Sequence, residues 1–121
     1  MLERKIVESD IYVLSKAFAL RIIKLCSYLA EQKHEYIISK QLLRSGTSIG
    51  ANVHEAKNAQ SRPDFCSKMN ISLKEVSESG YWLDLLVDAG YISKAQYESI
   101  IEDCNHIQAV LIKIVKATKQ Q

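Results

Sequence analysis

The sequence contains little proline or glycine and no long uninterrupted hydrophobic run. One proline and four glycines among 121 residues are too few for a sheet protein with many turns. A composition that is 47% hydrophobic and 25% charged excludes a disordered or collagen-like chain. No segment approaches the roughly 20 apolar residues of a membrane span. We therefore expect one helical domain over residues 1–121, cytoplasmic and without a membrane partner.

Cysteine is also scarce, and neither sign of charge dominates. Cys26, Cys66 and Cys104 are odd in number and widely spaced, so the sequence predicts neither a disulfide framework nor a zinc knuckle. We expect three small buried thiols in a reducing compartment. The 16 basic and 14 acidic side chains leave a formal charge of +2. That total is too small to indicate a nucleic-acid or membrane partner by itself.

The sequence lacks the motifs of nucleophilic catalysis and of phosphate binding. It has no Gly-x-Ser-x-Gly elbow and no glycine-rich loop after a strand. Ser48 and His54 are six residues apart and lie on divergent faces of a helix. We therefore predict a protein that is not an enzyme, with no catalytic residues, no cofactor and no small-molecule substrate.

A carboxylate-bridged metal bundle is a remote alternative function. Such bundles carry a Glu-x-x-His motif on each of two helices, together with further inward-facing carboxylates. Glu31 and His34 have this spacing, but the motif occurs once and at the end of a predicted helix. Cys104 and His106 point about 200° apart on a helix, which is wrong for joint ligation. The sequence therefore predicts no metal site.

Hydrophobic periodicity divides the chain into four helices. In each segment apolar residues recur at steps of three and four, which gives one core-facing stripe per helix. Ser9 or Asp10, Ser61 and Ser93 are helix-start signals, and Gly90 is a stop signal. The short links between segments favour antiparallel neighbours. We predict an all-α, antiparallel up-down-up-down four-helix bundle with helices over residues 9–32, 37–58, 62–89 and 93–118.

Two glycines lie inside the second predicted helix. Gly46 and Gly50 each cost up to about 1 kcal/mol relative to alanine in a helix interior. Such a cost is offset where glycine lets another backbone approach closely. The sequence therefore predicts a tight helix crossing at these positions.

The second helix also carries a polar face beside its apolar face. Its members are short amides, a hydroxyl and an arginine within an arc of roughly 80°, and not the interchangeable Lys and Glu of a solvated face. They are Gln41, Arg44, Ser48, Asn52 and Glu55. We predict a structural polar network, intramolecular or between subunits, in which Glu75 or Glu78 is the carboxylate that binds Arg44.

A functional interpretation of Arg44 remains open beside the structural one. With Lys40 one turn earlier, Arg44 faces a groove and binds phosphate in this alternative. Arg21 and Lys24 on the first helix are then its companions, because surface Arg and Lys supply sequence-independent affinity for a polyanion. The candidate nucleic-acid-binding residues are these four cations.

The third helix has a flank outside its core stripe. Ile71, Glu75, Glu78 and Trp82 share an arc of roughly 60°. Because a large aromatic residue beside carboxylates suits an interface, we predict that Ile71, Tyr81 and Trp82 contact another subunit. In the alternative, Trp82 only covers the edge of the bundle.

Several segments from the first helix to the start of the fourth match a known sequence pattern, and the most specific of them lies in the second helix. These segments are FALRIIKL (18–25), QLLRSGTSIGANV (41–53) with Glu55, Asp64 and Phe65, SLKE (72–75), YWL (81–83) and GYI (90–92). In them the chain resembles the four-helix-bundle proteins encoded in intervening sequences of bacterial large-subunit ribosomal RNA genes.

The resemblance implies a small cytoplasmic bundle assembled as a homopentameric barrel. A related bundle, the accessory protein of diversity-generating retroelements, associates with a reverse transcriptase and nucleic acid. The resulting hypothesis is a non-enzymatic, homopentameric binding protein. Its partner is RNA or DNA, or else an enzyme that acts on nucleic acid. The alternative is a self-assembling structural protein without a nucleic-acid partner.

Overall fold

Four α-helices make up the fold, with their apolar stripes facing one another. The computed structural model describes the backbone of residues 2–119 and the side chains of residues 10–119. Each helix packs against its neighbours in sequence, and the fourth packs back against the first, so the four enclose one core. The helices are α1 (Leu2–Lys33), α2 (Ile37–Ala56), α3 (Arg62–Asp88) and α4 (Lys94–Lys119).

Contacts between α2 and α3 run in opposite directions along the two helices. Near the middle of α2, the Ser45 hydroxyl lies 2.8 Å from that of Ser79. Ten residues later, Glu55 lies 3.3 Å from Lys68, which is earlier in α3. The pair is therefore antiparallel, and the predicted all-α four-helix bundle is confirmed.

The predicted start of α1 is wrong. The helix begins at Leu2 and not near Ser9 or Asp10, and both of these residues lie inside it. Residues 2–8 contain no glycine or proline and several good helix formers, so nothing in this stretch ends the helix. The other helix boundaries lie within two residues of the predicted ranges, and the starts of α2 and α3 match them.

Side chains cap the starts of α3 and α4. The Ser61 hydroxyl accepts a hydrogen bond from the Asp64 backbone N–H at 3.2 Å. Ser93 and Gln96 form the predicted reciprocal capping box, with distances of 2.7 and 3.1 Å. Gly90 follows α3 with φ of 82°, the left-handed conformation that ends a helix and that glycine adopts without strain.

Gly46 and Gly50 lie where α2 crosses α1, which confirms the predicted close approach. A Cβ atom at position 46 would lie 2.8 Å from Cγ1 of Ile22, inside van der Waals contact. At position 50 it would lie 3.4 Å from the Ser15 carbonyl oxygen. A side chain at position 46 would therefore push α1 and α2 apart.

The core contains buried hydroxyl groups as well as apolar side chains. The Ser72 hydroxyl donates to the Ile49 carbonyl at 2.7 Å, so α3 bonds directly to the backbone of α2. Over the side chains of residues 10–119, no buried nitrogen or oxygen lacks a hydrogen-bond partner. These polar groups are satisfied within the chain, as burial requires. None of the helices, over the described residues, is long and apolar enough to cross a membrane.

Candidate functional site

Arg44 is the centre of a polar cluster between α2 and α3. Its guanidinium donates to Oε2 of Glu75 at 3.3 Å and to Oε2 of Glu78. Gln41, one turn earlier on α2, accepts from Nε of Arg44 at 3.4 Å. Trp82 donates through its indole N–H to the same Glu78 oxygen at 2.9 Å. The structure thus brings four side chains together around one guanidinium.

The charge of this cluster disfavours phosphate. One guanidinium faces two carboxylates, and among the side chains of residues 10–119 neither Glu75 nor Glu78 pairs with a second cation. The cluster therefore carries a formal charge of −1, which repels an anion. Arg44 is about half exposed, so solvent screens each ion pair and limits its contribution to stability.

The remaining polar residues of α2 do not join this cluster. Ser48 donates to the Arg44 carbonyl at 2.6 Å, and Asn52 donates to the Ser48 carbonyl at 2.9 Å, both within α2. Glu55 instead pairs with Lys68 on α3 at 3.3 Å. Ser48 and Asn52 are therefore satisfied by carbonyl groups of their own helix and do not bridge to α3.

The candidate interface residues of α3 differ in exposure. Tyr81 is 56% exposed and Ile71 is 38% exposed. Trp82 is half-buried against the core, and its ring lies 5.2 Å from that of Tyr81. Within one chain Trp82 covers part of the bundle edge, while Tyr81 and Ile71 leave apolar surface open on α3. The contact of these three residues with another subunit stays a prediction.

The four candidate nucleic-acid-binding cations lie on different surfaces. Arg21 donates to Asp103 at 2.7 Å and to Ser99 at 3.0 Å, and it lines a groove between α1 and α4 together with Lys24. Lys40 lines a separate groove between α1 and α2. Arg44 faces α3, so the structure does not assemble these residues into one binding site.

Burial and hydrogen bonding hold several reactive side chains in their protonated forms. Desolvation, with a smaller contribution from Glu35, raises the pKa of the Cys26 thiol to about 11. Burial also raises the pKa of Cys104 to about 11. Tyr97 donates a hydrogen bond to Asp84, which raises its pKa to about 12. These groups are poor nucleophiles at neutral pH because the neutral form predominates.

The Glu-x-x-His motif has no partners for metal binding. Nδ1 of His34 lies 3.2 Å from the Tyr36 hydroxyl, and Glu31 is exposed. Among the described residues, no three His, Cys, Asp or Glu side chains lie close enough to hold a metal ion.

Glu35 is a structural residue that the sequence analysis missed. It is buried in the link between α1 and α2, where its carboxylate accepts hydrogen bonds from three backbone N–H groups. These belong to Ile37, Ile38 and Ser39, at 3.1, 3.0 and 2.7 Å. A negative charge at a helix N-terminus also complements the helix dipole. The polar, aperiodic sequence around Glu35 gave no indication of burial.

An exposed apolar surface on α1 and α2 was missed as well. We call it the α1–α2 patch and define it by Leu20, Ile23, Tyr36 and Leu43. Leu20 and Tyr36 are each 53% exposed, and Ile23, Tyr36 and Leu43 line one groove. A signal was present, because Leu20 and Ile23 lie outside the core stripe of α1.

Comparison with known proteins identifies the family. The sequence model of the 23S rRNA-intervening sequence protein family matches residues 7–113. A crystal structure of a protein with unknown function from the S23 ribosomal protein family of Bacteroides thetaiotaomicron is 49% identical, with a TM-score of 0.90. The match covers 91% of this chain and 98% of that one. No curated protein matches the chain. The chain therefore belongs to the 23S rRNA-intervening sequence protein family.

Proposed function

We propose that this protein is a non-enzymatic, cytoplasmic binding protein that assembles into a homopentameric ring and contacts nucleic acid or an enzyme that acts on it. The observation that carries the proposal is the exposed apolar surface outside the core. An isolated soluble bundle gains nothing from this surface, whereas a subunit of an assembly buries it.

The distribution of this surface favours a ring. A closed ring of more than two subunits joins two different surfaces of each subunit, head to tail. The α1–α2 patch is one such surface, and Tyr81 on α3, which is 56% exposed, supplies a second. The resemblance of the sequence to a family of homopentameric barrels supports a ring of five.

The state of the reactive side chains supports a role without catalysis. The carboxylates of Glu35, Glu75 and Glu78 stabilise helix ends and helix contacts. The thiols of Cys26 and Cys104 are held in their neutral form. Enzyme active sites depend on groups whose pKa lies near the working pH, and the pKa of each of these two thiols, about 11, does not fit that requirement.

Light scattering of the purified protein tests the assembly. We expect a discrete pentamer, and we expect Leu20→Glu with Leu43→Glu to yield smaller species, because two buried charges at an interface are costly. Ile112→Glu on α4 is the matched control, since Ile112 is 37% exposed and lies outside both surfaces. A monomeric wild-type protein at every concentration would contradict the proposal.

Nucleic-acid binding is tested separately. Structured RNA and DNA of mixed sequence should shift in a gel at low salt, and the shift should weaken as salt is added. The absorbance ratio of untreated protein would show whether polynucleotide is retained on purification.

A self-assembling structural protein is the second candidate, and the neutralisation of Arg21 and Arg44 by carboxylates favours it. A pentamer that binds neither RNA nor DNA at low salt would decide for this candidate.

A further inference from the structure

The outer surface of α1 and α2 contains a second groove beyond the apolar patch. Its volume is about 370 Å³, and its floor consists of small residues where the two helices cross. Lys16 lies on the α1 side of this groove, and His54 and Lys57 lie on the α2 side. We call these three residues the cationic groove.

Within residues 10–119, no carboxylate neutralises the charges in this groove. None of the residues that line it is acidic, and no side chain within residues 10–119 forms an ion pair with Lys16 or Lys57. Nζ of Lys57 lies 4.5 Å from the centroid of the Tyr12 ring, a contact that leaves its charge intact. Arg21 and Arg44, in contrast, each face at least one carboxylate.

We propose that the cationic groove binds the sugar-phosphate backbone of a nucleic acid, with Lys16 and Lys57 contacting phosphates from opposite sides and His54 donating a hydrogen bond. The inference rests on the proposed nucleic-acid contact and assigns it a site. None of the four cations singled out in the sequence belongs to this groove.

The chemistry of the groove favours a polyanion over a small phosphorylated ligand. Lysine is a point charge on a flexible stem, and all three side chains of the cationic groove are exposed. The Thr47 hydroxyl, which also lines the groove, already donates to the Leu43 carbonyl at 2.6 Å. Exposed flexible cations supply sequence-independent affinity for a phosphate backbone.

Salt-dependent binding of a fluorescein-labelled RNA hairpin and of a DNA duplex of the same sequence tests this site. For the duplex, a plot of log K against log salt has a negative slope. In the variant with both Lys16→Ala and Lys57→Ala, this slope should become shallower by about two, one for each lost phosphate contact. The RNA and DNA arms show which of the two the groove prefers. Circular dichroism checks that the variant is folded.

Two further pairs of variants act as controls. Lys113→Ala with Lys116→Ala removes the same charge from exposed positions on α4, and its slope should not change. Lys24→Ala with Lys40→Ala tests the competing surfaces. An unchanged slope in the Lys16 and Lys57 variant, or an equal change of slope in all three double variants, would overturn the assignment of binding to this groove. Nucleic-acid binding itself would remain established. Failure of the wild-type protein to bind at low salt would remove both proposals.

A substitution at another residue that lines the groove gives an independent test without deleting a lysine. Ala51 is exposed and lines the groove. Ala51→Glu places a carboxylate among the proposed phosphate contacts, and binding should fall at least severalfold. Ala51→Gln has nearly the same size and no charge, so it should bind much better than the glutamate variant. Equal binding by the two variants would contradict the proposal.

Discussion

The two sides of α2 pack against their neighbours in different ways. Toward α1 the contact is set by size, because Gly46 leaves no room for a side chain beside Ile22. Toward α3 the contact is set by polar chemistry, through Arg44 with its carboxylates and through Ser45 with Ser79. The same helix therefore tolerates different changes on its two sides.

Gly46→Val should have the largest effect on stability. Its Cβ would overlap Ile22 in the middle of the α1–α2 contact, and overpacking of a core costs about 1 to 3 kcal/mol. Urea denaturation measures the loss. Gly80→Ala on α3 is the control, because its Cβ would meet only Sγ of Cys104 at 4.0 Å. Equal losses in both variants would mean that size does not control the α1 side.

Ser45→Ala should cost about 1 to 2 kcal/mol, because it leaves the buried Ser79 hydroxyl without its partner. Replacing both serines by alanine should cost little more than the single change, since no polar group is then left unpaired. Denaturation of the two single variants and the double variant provides a double-mutant cycle. Strictly additive losses would show that the two hydroxyls do not interact.

Arg44→Ala should cost up to about 1 kcal/mol, because its ion pairs are partly exposed to solvent. Asn52→Ala should cost less, since the amide bonds only to the carbonyl of Ser48 in its own helix. Melting temperatures of the two variants rank these effects. A larger loss for Asn52→Ala would place the important polar contact elsewhere on the helix.

Ionisation of the Cys26 thiol should have no effect on stability at neutral pH. Because its pKa is raised from 9.0 to about 11, the folded state retains a proton that the unfolded state loses. Stability should therefore fall as pH rises from about 9 to about 11. Denaturation curves of the wild type and of Cys26→Ala across this range measure the contribution. The same pH dependence of stability in both proteins would contradict a contribution from Cys26.

Periodicity and capping signals predict much of the fold. They locate the four helices and the capping box at Ser93, and the two glycines mark the crossing of α1 and α2. The start of α1 was not predictable from Ser9 and Asp10, because a residue with capping chemistry can also lie inside a helix.

Only part of the candidate polar network was predictable from the sequence. Arg44 is long enough to reach the next helix, and Glu75 and Glu78 lie on the helix face that meets it. Ser48 and Asn52 lie near its face, but their side chains bond to carbonyl groups of α2 itself, an outcome that the helical pattern does not distinguish from a contact with α3. The pairing of Arg21 with Asp103 depends on which helix lies beside α1, and periodicity within one helix contains no such information.

The buried carboxylate of Glu35 has a consequence for recognition. By holding the first three N–H groups of α2, it fixes the connection that presents Tyr36 and Ile37, which are 53% and 79% exposed. A partner that docks there meets a preorganised surface and need not order a loop, so little conformational entropy is lost on association. A rigid link between α1 and α2 would thus increase the affinity for such a partner.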